Sequence, residues 1–570
     1  MKKYIKKYYK LFLLSIFFVT LEALIDLIQP GITSNIIDKG IAQNDINYIL
    51  KEGSKMFIIT VFGAIFALTR NIISTNVSQR FAYDLRNDLF TKINTYSFKT
   101  IEKFNKASLI TRLTNDVTQL QNFVHGMMRV FIKSPILCIG SLIMAIRLNL
   151  KMSIVLVVMI IGVFIVISTN LKIGYPLFKK VQKNIDNLNS KIREYLGAVR
   201  VVKTFNRYEY EVDKFEHTNE ELYNTSTKAM RVMSVFSPFI TFIVNMSIVL
   251  VLYLGNIPTF DIKIGVIVAY INYMTRILTS LIMISHIFNV FVRAKTSYER
   301  VNEVLKEDGD IKENLKNIDR IDSIEFEDID FSYNKDNENT VLKNINLKIS
   351  KGQTIGIIGS TGSGKTSIIN LIPKFYKIDR GTLKINGIDI NKISDKSLRK
   401  SVAIVPQKNT LFTGSIADNI RWGSEKATYH EVKQCAQIAE AEEFINSFRD
   451  TYSTHIGQGG VNVSGGQKQR ISISRALIKR PSLLILDDAT SALDAGTEAN
   501  IKNNLSKYIK DLTCIIIAQR ISSVIDCDNI YVLEEGEIVG QGKHDELMKS
   551  CKEYKDIFKS QVNRSLGDEE

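Results

Sequence analysis

The chain has 570 residues, of which 45% are hydrophobic, and it carries a formal net charge of +15. This length is too great for one hydrophobic core and predicts two or more domains, while the apolar content excludes a disordered chain. Five scattered cysteines without a CxxC pair exclude a disulfide framework.

The basic excess lies entirely in the first half of the chain. Residues 1–300 contain 37 Lys and Arg against 19 Asp and Glu, whereas residues 301–570 contain 37 against 40. The basic residues of the first half flank long apolar segments, and no nucleic-acid reading motif accompanies them. We therefore expect a membrane domain over residues 1–305 and no nucleic-acid partner.

Six apolar segments have lengths close to the ~20 residues that a bilayer requires. They predict membrane helices at approximately Leu11–Ile37, Met56–Asn76, Val130–Ile146, Met152–Ile173, Val235–Leu254 and Ile264–Phe291. Five lysines precede the first segment, which is too long for a signal peptide and lacks a small-residue cleavage site. We interpret it as an anchor.

The loop charges predict the orientation of these helices. The long loops 77–129 and 174–234 are basic, whereas the loops on the opposite side are short. The N-terminus and both long loops are therefore expected in the cytoplasm of a multi-pass plasma (inner) membrane protein. Apolar residues at three- and four-residue steps in the long loops predict helices that continue beyond the bilayer.

Charged residues within the predicted spans include Glu22 and Asp26 in the first, Arg70 in the second and Arg276 in the sixth. Glu22 and Asp26 share one helix face, and charge at this depth requires a partner or a wet cavity. Two interpretations remain open, a cavity for a cationic or amphipathic small-molecule substrate and a set of interhelical ion pairs. We favour the ion pairs.

An acidic, polar stretch at 306–322 is predicted to be a linker to a second domain over 323–570. Predicted strands at Ser323–Phe331, Val341–Ile349 and Thr354–Ile358 lead into a P-loop pattern, and a helix is expected at Ser367–Lys374. The pattern consists of Gly359, Ser360, Thr361, Gly362, Ser363, Gly364, Lys365 and Thr366. Its glycines allow backbone N–H groups to face phosphate oxygens, Lys365 would reach the β- and γ-phosphates, and Thr366 would hold Mg²⁺.

Two further motifs follow the P-loop. Ser464, Gly465, Gly466 and Gln467 precede a predicted helix at Lys468–Leu477 and form a second candidate phosphate cradle. Leu483–Asp487 is an apolar strand ending in a carboxylate, as expected for a Walker B Asp in the Mg²⁺ shell. One chain has no need of two γ-phosphate cradles this far apart, but two chains arranged head-to-tail would use both.

The whole chain resembles ATP-binding cassette (ABC) transporters of the exporter type. By this resemblance, the fold is an all-α six-helix transmembrane domain with long intracellular helices, followed by an α/β P-loop nucleotide-binding domain with an α-helical signature subdomain. The cofactors are ATP and Mg²⁺. The resemblance implies roles for an adenine-stacking Tyr333, an ATP-binding Ser367, a Gln407 that shares the Mg²⁺ with Thr366 and Asp487, a D-loop Asp494, and coupling residues Arg112, Asp116, Arg193 and Glu194.

Three positions depart from the pattern of the family. Asp488 occupies the position of the general-base Glu, Gln519 that of the switch His, and Gln458 that of a Glu before the signature. The Asp carboxylate is one methylene shorter, and an amide cannot carry the charge or proton of an imidazole. The residues expected to hold ATP are nevertheless retained, and the signature is intact.

This combination predicts one subunit of a heterodimeric exporter, in which the Walker site of this chain is hydrolytically degenerate. A second half-transporter would complete the competent site with the signature of this chain. The resemblance favours small amphipathic or drug-like substrates. The alternatives are a homodimeric lipid or peptide exporter with slow ATPase, and an ATP-binding membrane regulator that does not transport.

Overall fold

The computed structural model describes residues 2–255, 257, 262–307, 315–333, 340–508 and 511–567. Residues 308–314 of the predicted linker lie outside the described part. The chain divides into two compact units, Met1–Asn94 with Lys106–Glu307, and Thr95–Asn105 with Asp308–Glu570. Residues 95–105, which the predicted 1–305 domain includes, therefore cluster with the second unit.

Long helices form the first unit. They are α1 (Lys2–Asn35), α2 (Ile46–Asn94), α4 (Lys106–Thr111), α5 (Val117–Gly126), α6 (Ile132–Leu148), α7 (Ser153–Gly197), α8 (Val199–Thr204), α9 (Tyr208–Gly255) and α10 (Ile264–Lys306), and α3 (Phe98–Phe104) lies in the second unit. Segments with π-helical hydrogen bonding follow α1, α4 and α5 at Ile36–Ile41, Arg112–Asp116 and Met127–Phe131.

Within the described residues, six helices are long and apolar enough to cross a membrane, in agreement with the six predicted spans. They are Lys6–Ile41, Ile46–Asn94, Lys106–Leu148, Ser153–Gly197, Tyr208–Gly255 and Ile264–Ile284. At about 1.5 Å per residue, helices of the length of α2 and α9 exceed the ~30 Å hydrocarbon core more than twofold. The long extramembrane helices predicted from the loop periodicity are thus present as continuations of the spans.

Two buried tyrosines of α10 connect the helices of the first unit. The Tyr270 hydroxyl donates to the Ala145 carbonyl at 2.6 Å and lies 2.9 Å from the Ser153 hydroxyl. The Tyr273 hydroxyl donates to the Leu27 carbonyl at 2.9 Å. Both side chains are fully buried in the apolar core that α6, α7, α9 and α10 share. Each hydroxyl therefore finds a partner, as a buried polar group requires.

Three sheets organise the second unit. The six-stranded sheet has the order β12-β11-β3-β10-β9-β6, the four-stranded antiparallel sheet has the order β2-β1-β4-β5, and β7 pairs with β8. The strands are β1 (Ser323–Phe331), β2 (Leu342–Ser350), β3 (Thr354–Gly359), β4 (Arg380–Ile385), β5 (Ile388–Asp389), β6 (Val402–Val405), β7 (Gly414–Ser415), β8 (His455–Ile456), β9 (Leu483–Asp487), β10 (Thr513–Ala518), β11 (Asn529–Glu534) and β12 (Glu537–Gly542).

Helices cover the larger sheet and also form a separate subdomain. They are α11 (Lys365–Leu371), α12 (Asp395–Ser401), α13 (Ile416–Arg421), α14 (Tyr429–Ile438), α15 (Glu442–Ser447), α16 (Gly465–Leu477), α17 (Ala495–Tyr508), α18 (His544–Ser550) and α19 (Lys552–Gly567). Two apolar cores lie on the two faces of the large sheet, and a third fills the subdomain of α13 to α16. The predicted fold class is confirmed.

The predicted boundaries in this unit differ from the structure at the starts of two helices, and the first of them, α11, also ends earlier, at Leu371 rather than Lys374. The helix after the P-loop begins at Lys365 rather than Ser367, because Gly364, with a φ of +100°, turns the chain directly into it. The signature helix begins at Gly465 rather than Lys468, because Ser464 caps it. The predicted strand Leu483–Asp487 has the observed boundaries.

A cluster of charged side chains connects four helices of the first unit. The Arg70 guanidinium lies 2.9 Å from the Glu22 carboxylate. The Lys133 ammonium lies 2.5 Å from Glu22 and 2.8 Å from Asp26, and Arg276 lies 3.5 Å from Asp26. All five residues fall in candidate membrane spans. Each carboxylate therefore has two basic partners, and α1, α2, α6 and α10 are held together by charge.

Substitution Glu22→Gln should destabilise the first unit. The Glu22 side chain is only 10% exposed. Its loss removes the carboxylate that pairs with Arg70 and leaves Lys133 with Asp26, which also pairs with Arg276. Removing one partner of a buried ion pair costs on the order of 3 kcal/mol. Thermal unfolding of the purified full chain in detergent should show a clearly lower midpoint than the wild type.

Lys3→Met is the matched control, since it also removes one ion pair between α1 and α2. Lys3 pairs with Asp88 at 2.7 Å, but its side chain is 73% exposed, and exposed pairs contribute little to stability. An equal shift of the midpoint in both variants would contradict a stabilising role of the buried cluster.

Candidate functional site

The carboxyl ends of adjacent parallel strands place the predicted nucleotide-binding loops along one edge of the large sheet. Strand β3 runs into the P-loop, β9 ends at Asp487, β10 precedes Gln519, and β6 precedes Gln407. These strands are parallel neighbours in the order β3-β10-β9-β6. Residues far apart in the sequence thus meet at the edge where open α/β sheets bind ligands.

These loops surround a cavity of about 330 Å³. It is lined by Tyr333, Val341, Thr361, Gly362, Gly364, Lys365, Thr366, Ser367, Gln407, Asp487, Asp488, Ile517 and Gln519. The structure therefore brings together the P-loop, the end of the Walker B strand, Gln407, Gln519 and the predicted adenine-stacking Tyr333.

The P-loop curls around the ammonium group of Lys365. The Lys365 Nζ donates to the carbonyl oxygens of Gly359 at 2.9 Å and Ser360 at 2.6 Å. Gly364 has a left-handed φ of +100°, and a Cβ atom at this position would lie 2.6 Å from the Leu342 side chain, so only glycine fits the turn. This geometry suits a phosphate cradle at the start of α11.

Thr366 and Asp487 provide the oxygen ligands that Mg²⁺ prefers. The Thr366 hydroxyl lies 3.3 Å from both carboxylate oxygens of Asp487. Burial raises the pKa of Asp487, and the neighbouring Asp488 carboxylate raises it further. Burial lowers the pKa of Lys365, against the opposing effect of Asp487 and Asp488. The buried carboxylate of Asp487 and the half-buried one of Asp488, beside one lysine, favour a bound divalent cation, so the donor set fits the metal.

Asp488 follows the Walker B strand with a left-handed backbone, at a φ of +49°, a conformation that Asp tolerates better than most residues. Its backbone N–H donates to the Ile517 carbonyl at 2.9 Å. Its carboxylate accepts a hydrogen bond from the Gln407 Nε2 at 3.1 Å. The side chains at the predicted general-base and Q-loop positions are thus in direct contact.

Tyr333 contacts the helix that follows the P-loop. Its hydroxyl is 3.0 Å from that of Ser367 on α11. Its ring packs edge-on against Phe331, with 4.9 Å between centroids, and against Tyr376, with 5.0 Å. The ring is half-buried and lines the cavity, as expected for a residue that stacks on a base.

The signature residues lie elsewhere in the second unit and do not line this cavity, as far as the described residues show. The Ser464 hydroxyl accepts from the Gln467 N–H at 3.3 Å, and the Gln467 side chain accepts from the Ser464 N–H at 2.9 Å. This capping box leaves the first N–H groups of α16 directed outwards. Asp494 caps α17 in the same way, accepting from the Thr497 N–H at 2.9 Å and its hydroxyl at 2.7 Å.

Three of the four predicted coupling residues form ion pairs within the first unit. Arg112 lies 2.8 Å from Glu303 and donates to the Arg300 carbonyl at 2.7 Å. Asp116 accepts from the Ser297 hydroxyl at 2.8 Å and lies 3.3 Å from the Arg300 guanidinium. These pairs join the π-helical segment Arg112–Asp116 to α10.

Arg193 and Glu194, near the end of α7, are both exposed. Glu194 pairs with Lys191 at 3.4 Å and with Lys214 at 3.2 Å. Since Lys214 lies on α9, this ion pair joins α7 to α9, the helices on either side of the second predicted coupling region.

Two features of the structure were not predicted from the sequence. One is Lys133, whose position in an otherwise apolar span was a usable signal, and which pairs with both Glu22 and Asp26. The other is the segment 95–105, which packs in the second unit through Phe98 against Phe375 at 4.5 Å. A short aromatic segment between two long helices carries no distinctive pattern.

Comparisons with known proteins agree with this architecture. A family model for the ABC transporter transmembrane region matches residues 12–282, and a model for the ABC transporter family matches residues 342–491. The chain is 36% identical over 564 residues to YfiB of Bacillus subtilis (strain 168), an uncharacterized ABC transporter ATP-binding protein, covering 98% of both chains. It is 30% identical over 566 residues to a Rickettsia typhi protein named for an export ATP-binding/permease function, again covering 98% of both.

A solved structure of a bacterial Atm1-family ABC exporter with ATP bound shares the fold. The TM-score is 0.81 at 22% sequence identity, covering 97% of this chain and 98% of that one. The domains of this family bind ATP, generally with Mg²⁺, couple its hydrolysis to transport, and work as dimers in the bilayer. The chain belongs to the ABC transporter family and is a multi-pass membrane protein that combines a transmembrane region with an ATP-binding domain.

Proposed function

We propose that this chain is one subunit of a heterodimeric exporter and that its own Walker site binds ATP but hydrolyses it slowly. The observation that carries the proposal is the composition of the cavity. The residues expected to hold phosphate, Mg²⁺ and adenine line it together, whereas the two hydrolytic positions are occupied by Asp488 and Gln519.

The contact between Asp488 and Gln407 supports slow hydrolysis. The Asp488 carboxylate is one methylene shorter than that of Glu and accepts a hydrogen bond from Gln407 at 3.1 Å. Displacement of a catalytic group by about 1 Å can lower a rate ~10²-fold. Gln519 can donate a hydrogen bond to a γ-phosphate, but it supplies neither a proton nor a positive charge at neutral pH.

The separation of the signature from the cavity supports a composite site. Ser464 to Gln467 present the start of α16 away from the P-loop of the same chain. In a head-to-tail pair, this signature would face the ATP held by the partner. A second half-transporter that supplies a Glu and a His would complete the competent site.

For the transported molecule, we propose small amphipathic or drug-like compounds, exported across the plasma membrane with the N-terminus and the ATP-binding domain in the cytoplasm. Glu22, Asp26, Arg70 and Arg276 were the candidate cavity residues. Because both carboxylates already contact basic side chains, the ion pairs favour a structural role for this cluster over selection of a cation.

Restoring both hydrolytic side chains should raise the ATPase activity of the chain on its own. We expect Asp488→Glu with Gln519→His to increase the Mg²⁺-dependent ATPase rate of the purified full chain by about 10- to 100-fold. Because the signature is intact, a pair of such chains would hold two complete sites. A robust rate in the wild-type chain alone would contradict the proposal, and Lys365→Ala provides the background without nucleotide binding.

Substitutions in the two different ATP sites should have unequal effects in the native complex, purified through a tag on this chain. Ser464→Asp keeps a helix-capping side chain but places a negative charge against the phosphates of the partner's ATP. It should lower the ATPase rate more than tenfold, whereas Asp488→Asn should lower it less than about threefold. Equal losses would indicate two equivalent sites, as in a homodimer.

Transport assays distinguish an exporter from a regulator that only binds ATP. We expect inside-out vesicles that contain the native complex to accumulate an amphipathic dye in the presence of ATP. Arg193→Ala, an exposed change on α7, should reduce dye uptake more than ATPase activity. Accumulation that is independent of ATP, or of this chain, would favour the regulator.

A further inference from the structure

The C-terminal helix α19 presents an apolar stripe to one core of the ATP-binding unit. Tyr554 is fully buried in this core, and Ile557 and Phe558 pack against it. The three residues follow the three- and four-residue steps of a single helix face. The next position on this face, seven residues after Tyr554, is the half-buried Gln561. A polar side chain at the end of an apolar stripe requires hydrogen-bond partners.

Gln561 makes two hydrogen bonds to the main chain of the loop that follows β10. Its Nε2 donates to the Gln519 carbonyl at 2.7 Å, and its Oε1 accepts from the Ile521 N–H at 2.9 Å. The ladder between β10 and β3 ends at Ala518, so the side-chain amide continues the pairing that a neighbouring strand no longer provides. Gln561 thereby holds the backbone on both sides of Arg520.

The loop held in this way carries the residue at the switch position. Gln519 is exposed and lines the nucleotide cavity together with Lys365 and Thr366. An amide that meets a γ-phosphate oxygen donates through its Nε2, and the direction of this donor depends on the backbone from which the side chain extends. The P-loop itself is positioned by β3 and α11, so its hold on the other phosphates does not pass through this loop.

We infer that Gln561 is a positioning residue that acts through Gln519 to set the preference of this Walker site for ATP over ADP. The inference rests on the proposed function, in which this site binds ATP and hydrolyses it slowly. ADP has no γ-phosphate and is indifferent to the direction of the Gln519 amide, whereas ATP is held more tightly when that amide faces it. By thermodynamic reciprocity, ATP and not ADP favours the contact between α19 and the loop.

Loss of the Gln561 amide should leave α19 in place. The helix is anchored by Tyr554, whose hydroxyl lies 2.8 Å from the His544 Nδ1 and whose ring packs edge-on against that of His544 with 5.7 Å between centroids. This anchor is two helical turns away from Gln561 and shares no hydrogen bond with the loop after β10. A substitution of Gln561 therefore tests the loop contact and not the attachment of the helix.

Nucleotide binding by the purified full chain in detergent tests this inference. Dissociation constants for ATP and ADP are measured by titration calorimetry in the presence of Mg²⁺, and the wild type should prefer ATP. Gln561→Leu removes both hydrogen bonds at similar side-chain volume. It should lower the affinity for ATP about fivefold to tenfold, as expected for a lost hydrogen bond to a charged group. Its affinity for ADP should stay within about twofold of the wild type, because ADP does not meet the Gln519 amide.

A double-mutant cycle shows whether Gln561 acts through Gln519. Gln519→Ala alone should lower the affinity for ATP by a similar factor and spare ADP. If the two residues act in series, adding Gln561→Leu to Gln519→Ala should cause no further loss. A residue that merely stabilises the domain would instead lower the affinity again in the double variant.

Two further variants complete the test. Gln561→Glu keeps the acceptor for the Ile521 N–H but directs a carboxylate oxygen at the Gln519 carbonyl, so it should also lose the preference for ATP. This variant carries the test if leucine at position 561 destabilises the chain. Ser560→Ala is the matched control on α19, because the Ser560 hydroxyl donates within the helix, to the Ile557 carbonyl at 2.8 Å. It should bind both nucleotides as the wild type does.

The outcomes distinguish the inference from the site on which it rests. If the Gln561 variants keep the affinity of the wild type for ATP, lose affinity for ATP and ADP equally, or weaken ATP binding further in the absence of the Gln519 amide, the inference is wrong and the nucleotide site stands. If the wild type binds ATP no more tightly than Lys365→Ala does, the proposed nucleotide site is wrong, and the inference fails with it.

Discussion

The functional half of the molecule depends on the parallel arrangement of four strands, β3, β10, β9 and β6. Neighbouring parallel strands end at the same edge of the sheet, so the loops that follow them lie side by side along that edge. The strands are buried on both faces, and their register is set by apolar packing. A phosphate cradle, a carboxylate pair and two amides are thereby collected from one stretch of sequence between Gly359 and Gln519.

This arrangement also explains why two substitutions can alter the chemistry without altering the fold. Asp488 and Gln519 lie in loops beyond the strand ends, where side chains face the cavity and not the cores. Replacing Glu by Asp or His by Gln there changes reach and charge but removes no buried apolar surface. Binding and hydrolysis can therefore diverge between two subunits that share one scaffold.

Local signals in the sequence were sufficient for the motifs and for the class of each domain. The local composition of three kinds of segment predicts their structure: the glycines of the P-loop, the apolar run ending in Asp487, and the six long apolar segments. The pairing of Lys133 with Glu22 and Asp26, and of Phe98 with Phe375, depends on helices and loops distant in the chain. Charge and aromaticity alone do not specify which of many possible partners a residue will meet.

The start of α16 shows how a local capping interaction shifts a helix boundary. The glycines after Ser464 have poor helix propensity, which places the predicted start at Lys468. The reciprocal hydrogen bonds between Ser464 and Gln467 outweigh that preference and bring Gly465 and Gly466 into the first turn. Ser464 and Gln467, which identify the signature motif, thus also form the N-terminal end of α16. The proposed contact with the partner's ATP depends on this helix end.

The unbroken length of α2 has a mechanical consequence. Its 49 residues form one helix from Ile46 to Asn94, and at about 1.5 Å per residue it is roughly 74 Å long. A rod of that length is a lever, since a tilt of about 5° at one end displaces the other by roughly 6 Å. The lever ends at Asn94, where the chain continues directly into segment 95–105, so a small rotation of α2 is enlarged at this covalent junction.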